Sequence, residues 1–283
     1  MSTIKIIGVP EHFNFPWQLC IENGDFKSVN IDLHWINIPE GTGKMCQMLR
    51  NGDADMAIIL TEGITKDIVA GNDCSIVQVY VKSPLVWGIH VASHSKYQTV
   101  SDLEKGKIAI SRLGSGSQLM AFVNAKKQGW KTDNLEFEIV NTIDGAVESL
   151  TSGESDYFMW EKFMTKPLVD DGIFRKLGDC PTPWPCFVIA VRNEIFEKYS
   201  KTIRIILDII NKKTSEFKKI QNIDKILAKR YNLKIEDIQE WLSITEWSQE
   251  NLNENKLNKI QNQLFDLKII DKKITFASIV KII

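Results

Sequence analysis

A chain of 283 residues is long enough for about two domains of roughly 100–200 residues each. Its 43% hydrophobic and 25% charged residues are ordinary for a globular protein in water. A formal charge of −1, with lysines spread along the chain and accompanied by acids, argues against a nucleic-acid binder, and no stretch reaches the ~18 apolar residues that span a bilayer.

The opening MSTIKIIGVP has no basic n-region followed by an apolar h-region, so a cytoplasmic location is expected. Cys20, Cys46, Cys74, Cys180 and Cys186 are odd in number and form no CxxC pair, which reads as reduced, mostly buried thiols.

In chain order, Ile4–Val9 is a short apolar run that ends at Gly8 and Pro10 and predicts a buried strand. A loop, EHFNFPW, precedes a helix starting near Pro16. Val29–Ile36 alternates as a second strand. After the glycine loop IPEGTG, a helix over about Lys44–Arg50 closes on Gly52, and Ala54–Leu60 is the next strand. Ile76–Val91 is long and strand-rich. A loop and short helix follow, then the strand Lys107–Ser111, the loop RLGSGSQ and a helix to about Gln128. Leu135–Val140 is a strand, Thr142 caps a helix running to Thr151 with Gly153 behind it, and Tyr157–Trp160 is the strand after that. Phe187–Val191 is a further strand. From Asn193 onward apolar residues recur at helical spacing, with helices around Asp224–Arg230, Ile235–Leu242 and Glu254–Leu264.

The order strand, loop, helix, strand, helix, glycine, strand thus occurs twice. Its clearest trace is LRNGDADMAII at residues 49–59 and LTSGESDYFMW at residues 150–160. In each, glycine ends a helix and an acidic turn leads into a strand. Asp55 and Asp156, at the entry ends of their strands, are expected to be structural.

IKIIGVPEHFNFPW, GTGKMCQMLRNGDADMAII, VYVKSPLVWGIHV, ISRLGSGSQ and LTSGESDYFMW together resemble the type II periplasmic-binding-protein fold over roughly residues 4–215. Within it they resemble the nitrate/sulfonate/taurine-type substrate-binding proteins of ABC transporters and the related fungal thiamine-pyrimidine synthases. The resemblance implies a two-lobed α/β fold, each lobe a mainly parallel sheet flanked by helices, plus C-terminal helices. It places residues 1–85 and 186–283 in lobe one and 86–185 in lobe two, with crossovers near Ser83–Gly88 and Pro181–Phe187, and a ligand in the cleft between lobes. The cysteine-rich CCCFC signature of the synthases is missing, so their self-consuming chemistry is not implied. Menaquinone-pathway enzymes such as chorismate dehydratase show the same fold in the cytosol.

Ligands in open α/β sheets bind beyond the carboxyl ends of the strands, and candidate contacts fall there. Ser111-Arg112-Leu113-Gly114-Ser115-Gly116-Ser117 follows a strand and opens a helix, where free N–H groups favour an anion; Arg112 adds a charge, and Ser115 and Ser117 add donors. A serine-capped helix entry explains the same residues without a ligand. Gly41, Thr42 and Gly43 open another helix and lack the P-loop pattern. In the first loop, Glu11, His12 and Asn14 offer polar groups, while Phe13 and Trp17 can stack on a ring; the alternative is that Trp17 packs in the core and His12 is solvated. Thr61-Glu62, Asn141 and Trp160-Glu161 follow three other strands, and either acid is a candidate for a ligand amine, for a general base or simply for a solvated loop. His90 and His94 lie on a strand end whose spacing does not put both rings on one face, so no metal site is expected, and no cofactor either.

The expected function is binding of a small organic molecule, anionic or heterocyclic, with hinge closure. The alternative is a cytosolic enzyme on the same fold acting on a small carboxylate or a pyrimidine/thiamine precursor. A small-molecule ligand is the expected partner, without nucleic acid or membrane insertion; the oligomeric state stays open.

Overall fold

Residues 2–283 are described by the structure, a computed structural model. The strands are β1 (Ser2–Gly8), β2 (Ile31–Asn37), β3 (Met56–Leu60), β4 (Cys74–Val81), β5 (Val86–Ala92), β6 (Ile108–Ile110), β7 (Phe137–Ile139), β8 (Tyr157–Glu161), β9 (Phe174–Pro181) and β10 (Phe187–Arg192). The α-helices are α1 (Phe15–Glu22), α2 (Thr42–Asn51), α3 (Thr61–Val69), α4 (Gly116–Gln128), α5 (Ile143–Ser152), α6 (Lys166–Asp170), α7 (Asn193–Glu216), α8 (Ile223–Tyr231), α9 (Ile235–Ile244) and α10 (Glu254–Asp266). They divide into two compact units, one made of residues up to Pro84 with Trp184–Ile283, the other of Leu85–Pro183.

Each unit is built on a sheet of the same design. In the first the strand order is β2-β1-β3-β10-β4, with β1 parallel to β2 and β3 and with β10 antiparallel to both β3 and β4. In the second it is β7-β6-β8-β5-β9, with β6 parallel to β7 and β8 and with β5 antiparallel to both β8 and β9. Four strands therefore run one way and one inserted strand runs against them. The inserted strand is always the first one made after the chain crosses from the other unit.

Central strands buried on both faces read as continuous apolar runs. Met56, Ala57, Ile58 and Ile59 of β3 and Val188, Ile189, Ala190 and Val191 of β10 are fully buried. In the second unit Ala109 of β6 and Phe158 of β8 pack with Val140, Ala146, Leu150 and Phe174. Gly52 and Gly153 close α2 and α5 with φ of 80° and 81°, a left-handed conformation that costs glycine little. Thr142 caps α5 by accepting the Gly145 N–H at 3.1 Å.

The C-terminal helices belong to the first unit. Their connecting segments extend its sheet through bridges of Ile76 to Val280 and of Val81 to Trp247. Among the described residues no helix is long and apolar enough to cross a membrane.

Three elements depart from the sequence expectation. Thr61–Val69 is a helix that starts directly after β3, where a loop was expected. Lys166–Asp170 is a short helix, and Phe174–Pro181 is a strand.

Candidate functional site

In the first unit the chain after each of β1, β2 and β3 turns into a helix, so three helix N-termini line the carboxyl edge of the sheet. The loop after β1 is fastened by the C-terminal helices. Phe13 presents its carbonyl to the Tyr80 hydroxyl at 2.8 Å and to the Trp247 indole N–H at 3.3 Å. His12 is buried and stacks on Trp241 at 4.2 Å between ring centroids, with Tyr231 at 5.7 Å. Neither of its ring nitrogens has a hydrogen-bond partner among the described residues. Burial pushes its pKa down to about 3, so it packs as a neutral aromatic ring. It is not the solvated side chain of the alternative reading. Glu11, half-buried, is pushed up to about 7 by burial.

Asn14 is buried and donates its Nδ2 to the Val9 carbonyl at 2.9 Å, which ties the loop to the end of β1. Trp17 goes to the core, with its centroid 6.1 Å from that of Phe26 and 6.2 Å from that of Tyr80. With none of its surface exposed, the expected stacking of Trp17 on a ligand gives way to packing.

Phe13 meets Phe187, at the start of β10, at 5.3 Å. Phe187 pairs with Leu60, and the next residue, Thr61, donates both its N–H and its hydroxyl to the Cys186 carbonyl at 3.1 and 3.3 Å. Glu62 follows in the first turn of α3, only 2% exposed. Burial raises its pKa to about 7, partly offset by its own backbone amide and the Trp184 indole. It is a buried helix-start acid, not a loop acid. Gly63 then approaches Thr42 so closely that a Cβ on it would lie 2.2 Å from the Thr42 methyl. Gly41, Thr42 and Gly43 are thereby joined to Thr61 and Glu62, at the N-termini of two adjacent helices. Phe13 thus packs on Phe187, Glu62 has the Trp184 indole beside it, and all four are buried.

In the second unit Arg112 is exposed and forms no ion pair among the described residues. The serines of its loop mostly serve the loop itself. Ser117 Oγ accepts the Ser111 N–H at 3.0 Å and lies 3.0 Å from Ser115 Oγ, while Ser115 accepts the Gln118 N–H at 3.3 Å as the cap of α4. Both hydroxyls are buried and the Gly114 N–H is donated to Gln118 Oε1 at 2.6 Å, so the donor facing out of this loop is the exposed Arg112. Gly116 lies against Trp87, whose ring would be 3.1 Å from an added Cβ. Trp87 in turn meets Trp160 edge to face at 6.1 Å. Asn141 is exposed in a left-handed turn with φ 60°. Glu161 Oε2 accepts the N–H groups of Phe163 and Met164 at 2.9 and 2.7 Å, so this carboxylate organises the turn into α6. His90 is buried against the Thr165 hydroxyl at 3.1 Å.

Sequence reasoning did not single out Trp87, Trp184, Phe187, Tyr231 or Trp241. The available signal was the abundance of tryptophan, eight in the chain.

These two units, with their inserted antiparallel strands and C-terminal helices, have the two-lobed fold of the type II periplasmic binding proteins. Residues 87–180 match the family model described as Ca3427-like PBP. The Candida albicans CA3427 gene product, which defines a family with the generic periplasmic binding protein fold, superposes with a TM-score of 0.91 at 25% identity over 99% of this chain and 96% of its own. The alkanesulfonate-binding protein SsuA from Xanthomonas axonopodis pv. citri, bound to MOPS, gives 0.83 at 15% identity over 100% and 99%. The aliphatic sulphonate binding protein SsuA from Escherichia coli gives 0.79 at 17% identity over 99% and 92%. No curated protein matches the chain significantly.

Proposed function

We propose that this protein binds a small organic molecule, anionic or heterocyclic, at the carboxyl edges of its sheets, and that its two units close on the ligand. The observation that carries this is the placement of the candidate groups. Each unit sets helix N-termini and aromatic side chains beyond the same end of its parallel strands, where open α/β sheets take ligands. Phe13, Trp184 and Phe187 in one unit and Trp87 and Trp160 in the other suit a planar or apolar body, and Arg112 suits an anionic group. The fold likeness to sulfonate-binding proteins supports binding as the activity. The five cysteines, all buried and none in a disulfide, support a reducing compartment, and we place the protein in the cytoplasm.

One observation favours a second reading, an enzyme acting on a small carboxylate or a pyrimidine/thiamine precursor. Glu11 and Glu62 are both held near 7, where a carboxyl group serves equally as general acid or base.

A thermal-shift screen against sulfonates, aromatic carboxylates and pyrimidines tests the binding, because a ligand for the folded state raises the midpoint by mass action. Hits should compact the protein in solution scattering. A hit whose mass changes on incubation selects the enzyme; binding that survives Arg112→Ala and Glu62→Gln together rejects the assigned site.

A further inference from the structure

We propose that the outer edge of β2 pairs antiparallel with the same edge of a second copy of this chain, so that one sheet runs through the first units of both copies.

An uncovered edge strand offers unpaired N–H and C=O groups to any other chain, and proteins ordinarily shield it with charge, proline, brevity or a covering segment. Two sheets have four edges, and three of them are shielded in these ways. The C-terminal region covers β4: Ile76 donates its N–H to the Ile279 carbonyl at 2.7 Å, Val79 to Glu250 at 2.9 Å and Lys82 to Glu246 at 2.8 Å. β7 is only 3 residues long, and β9, FRKLGDCP, carries an arginine, a lysine, an aspartate and a proline. β2, IDLHWIN, is 7 residues long, ends the first sheet and has no lysine, arginine or proline. Among the described residues only β1 pairs with it.

Its pairing with β1 fixes which groups point outward. The N–H of Ile38 bonds the Gly8 carbonyl at 2.9 Å. Alternate residues of a parallel strand bond the same neighbour. Asp32, His34 and Ile36 therefore turn their backbone groups to β1, and Leu33, Trp35 and Asn37 turn theirs away from it. The outward N–H of Ile31 is already taken by the Phe26 carbonyl at 3.0 Å.

The side chains select the occupant. Asp32 and His34 share a face of the strand, with Asp32 Oδ2 2.7 Å from His34 Nε2. A two-fold axis at Leu33 sets Leu33 opposite its own copy and Asp32 of each copy opposite His34 of the other. Those opposed pairs fall where no ladder hydrogen bonds join the strands and side chains come closest. Each carboxylate then has one imidazole beside it and a second across from it. Moving the axis to Asp32 sets acid against acid, and moving it to His34 sets imidazole against imidazole. The edge is complementary to itself in one register, which is the requirement of a symmetric dimer.

A contact through one strand edge is small, so the dimer should dissociate in the range of roughly 10–100 µM. Sedimentation velocity on the full chain across that range should show a reversible monomer–dimer equilibrium. His34→Asp opposes carboxylates twice per dimer and should weaken it about tenfold or more. Asp32→His combined with His34→Asp restores acid opposite imidazole and should recover the affinity. The His34 and Asp32 side chains are 55% and 34% exposed, so the variants should melt with the parent at low concentration. In the parent, amide hydrogen exchange read by NMR should slow with concentration at Leu33 and Trp35 and stay constant at His34, whose N–H already serves β1. A parent that remains monomeric throughout, a dimer indifferent to His34→Asp, or exchange at Leu33 and Trp35 that ignores concentration overturns the proposal.

Discussion

Asp55 and Lys5 hold each other twice: the Asp55 carboxylate accepts the Lys5 backbone N–H at 2.8 Å, and the Asp55 N–H reaches the Lys5 carbonyl at 2.9 Å. In the second unit Asp156 and Lys107 do the same at 2.7 and 2.8 Å, and Asp156 also accepts the Tyr97 hydroxyl at 3.0 Å. The acid of each turn locks the entry of one strand to its parallel neighbour. Asp55→Ala should cost about 1 kcal/mol of stability and Asp156→Ala, with its additional partner, about 2. Denaturant titration measures both. Ligand affinity should stay unchanged, because these acids lie at the opposite ends of the strands from the candidate site.

Glu62 gives a pH-dependent stability with a definite sign. Its folded pKa is raised from 4.5 to about 7, so its protonated form is the one the folded state favours. Its contribution is full below 4.5 and is lost as pH rises through 7. Glu62→Gln should therefore match the parent near pH 4 and exceed it at pH 8. The rise in pKa, at about 1.4 kcal/mol per pH unit, sets an upper limit on the order of 3 kcal/mol. Melting curves of both proteins from pH 4 to 8 check the trend.

His12 runs the other way. Its folded pKa is lowered from 6.5 to about 3, so its contribution is present above 6.5 and drains away as pH falls toward 3. His12→Phe keeps the ring on Trp241 and removes the titration. The variant should resist acid better than the parent, by up to ~3 kcal/mol at pH 4, which acid unfolding followed by tryptophan fluorescence reports.

Gly63 and Thr42 are predicted to couple. Gly63→Ala places a methyl 2.2 Å from Thr42 Cγ2, an overlap that costs about 1–3 kcal/mol. Thr42→Ser removes that methyl, and the next Thr42 atom lies at 3.5 Å, an ordinary contact. The double variant should recover most of the loss, so a double-mutant cycle should show strong coupling.

Much of this architecture was readable from the chain. Apolar runs marked β1, β3 and β10, and the glycine–acid turns revealed that one design occurs twice. The helix α3 was missed because TEGITKDIV begins with threonine, acid and glycine, which look like a loop until packing on Thr42 and Cys186 is seen. The strand β9, FRKLGDCP, was missed because it is a half-buried edge strand with charges along it. At the candidate site, the ends of the strands were legible from topology. The environment of each side chain was not. Trp241 is 229 positions from His12 in sequence, and no local pattern tells that the two rings stack. The same holds for Glu62, which meets the Trp184 indole, and for its neighbour Thr61, which is held by the Cys186 carbonyl, both arriving from far along the chain.

The inserted strands have a consequence for synthesis. On the ribosome β4 is made early, but its neighbour in the sheet is β10, which emerges more than 100 residues later. Leu85–Pro183 is continuous, and its two ends meet where Thr182 donates its N–H to the Leu85 carbonyl at 2.9 Å and accepts the Leu85 N–H on Oγ1 at 3.0 Å. The later-begun unit is thus the first that can be finished, while the opening strands wait with a gap in their sheet. Nascent chains arrested before Phe187 leaves the exit tunnel should carry a protease-resistant middle and a protease-sensitive beginning.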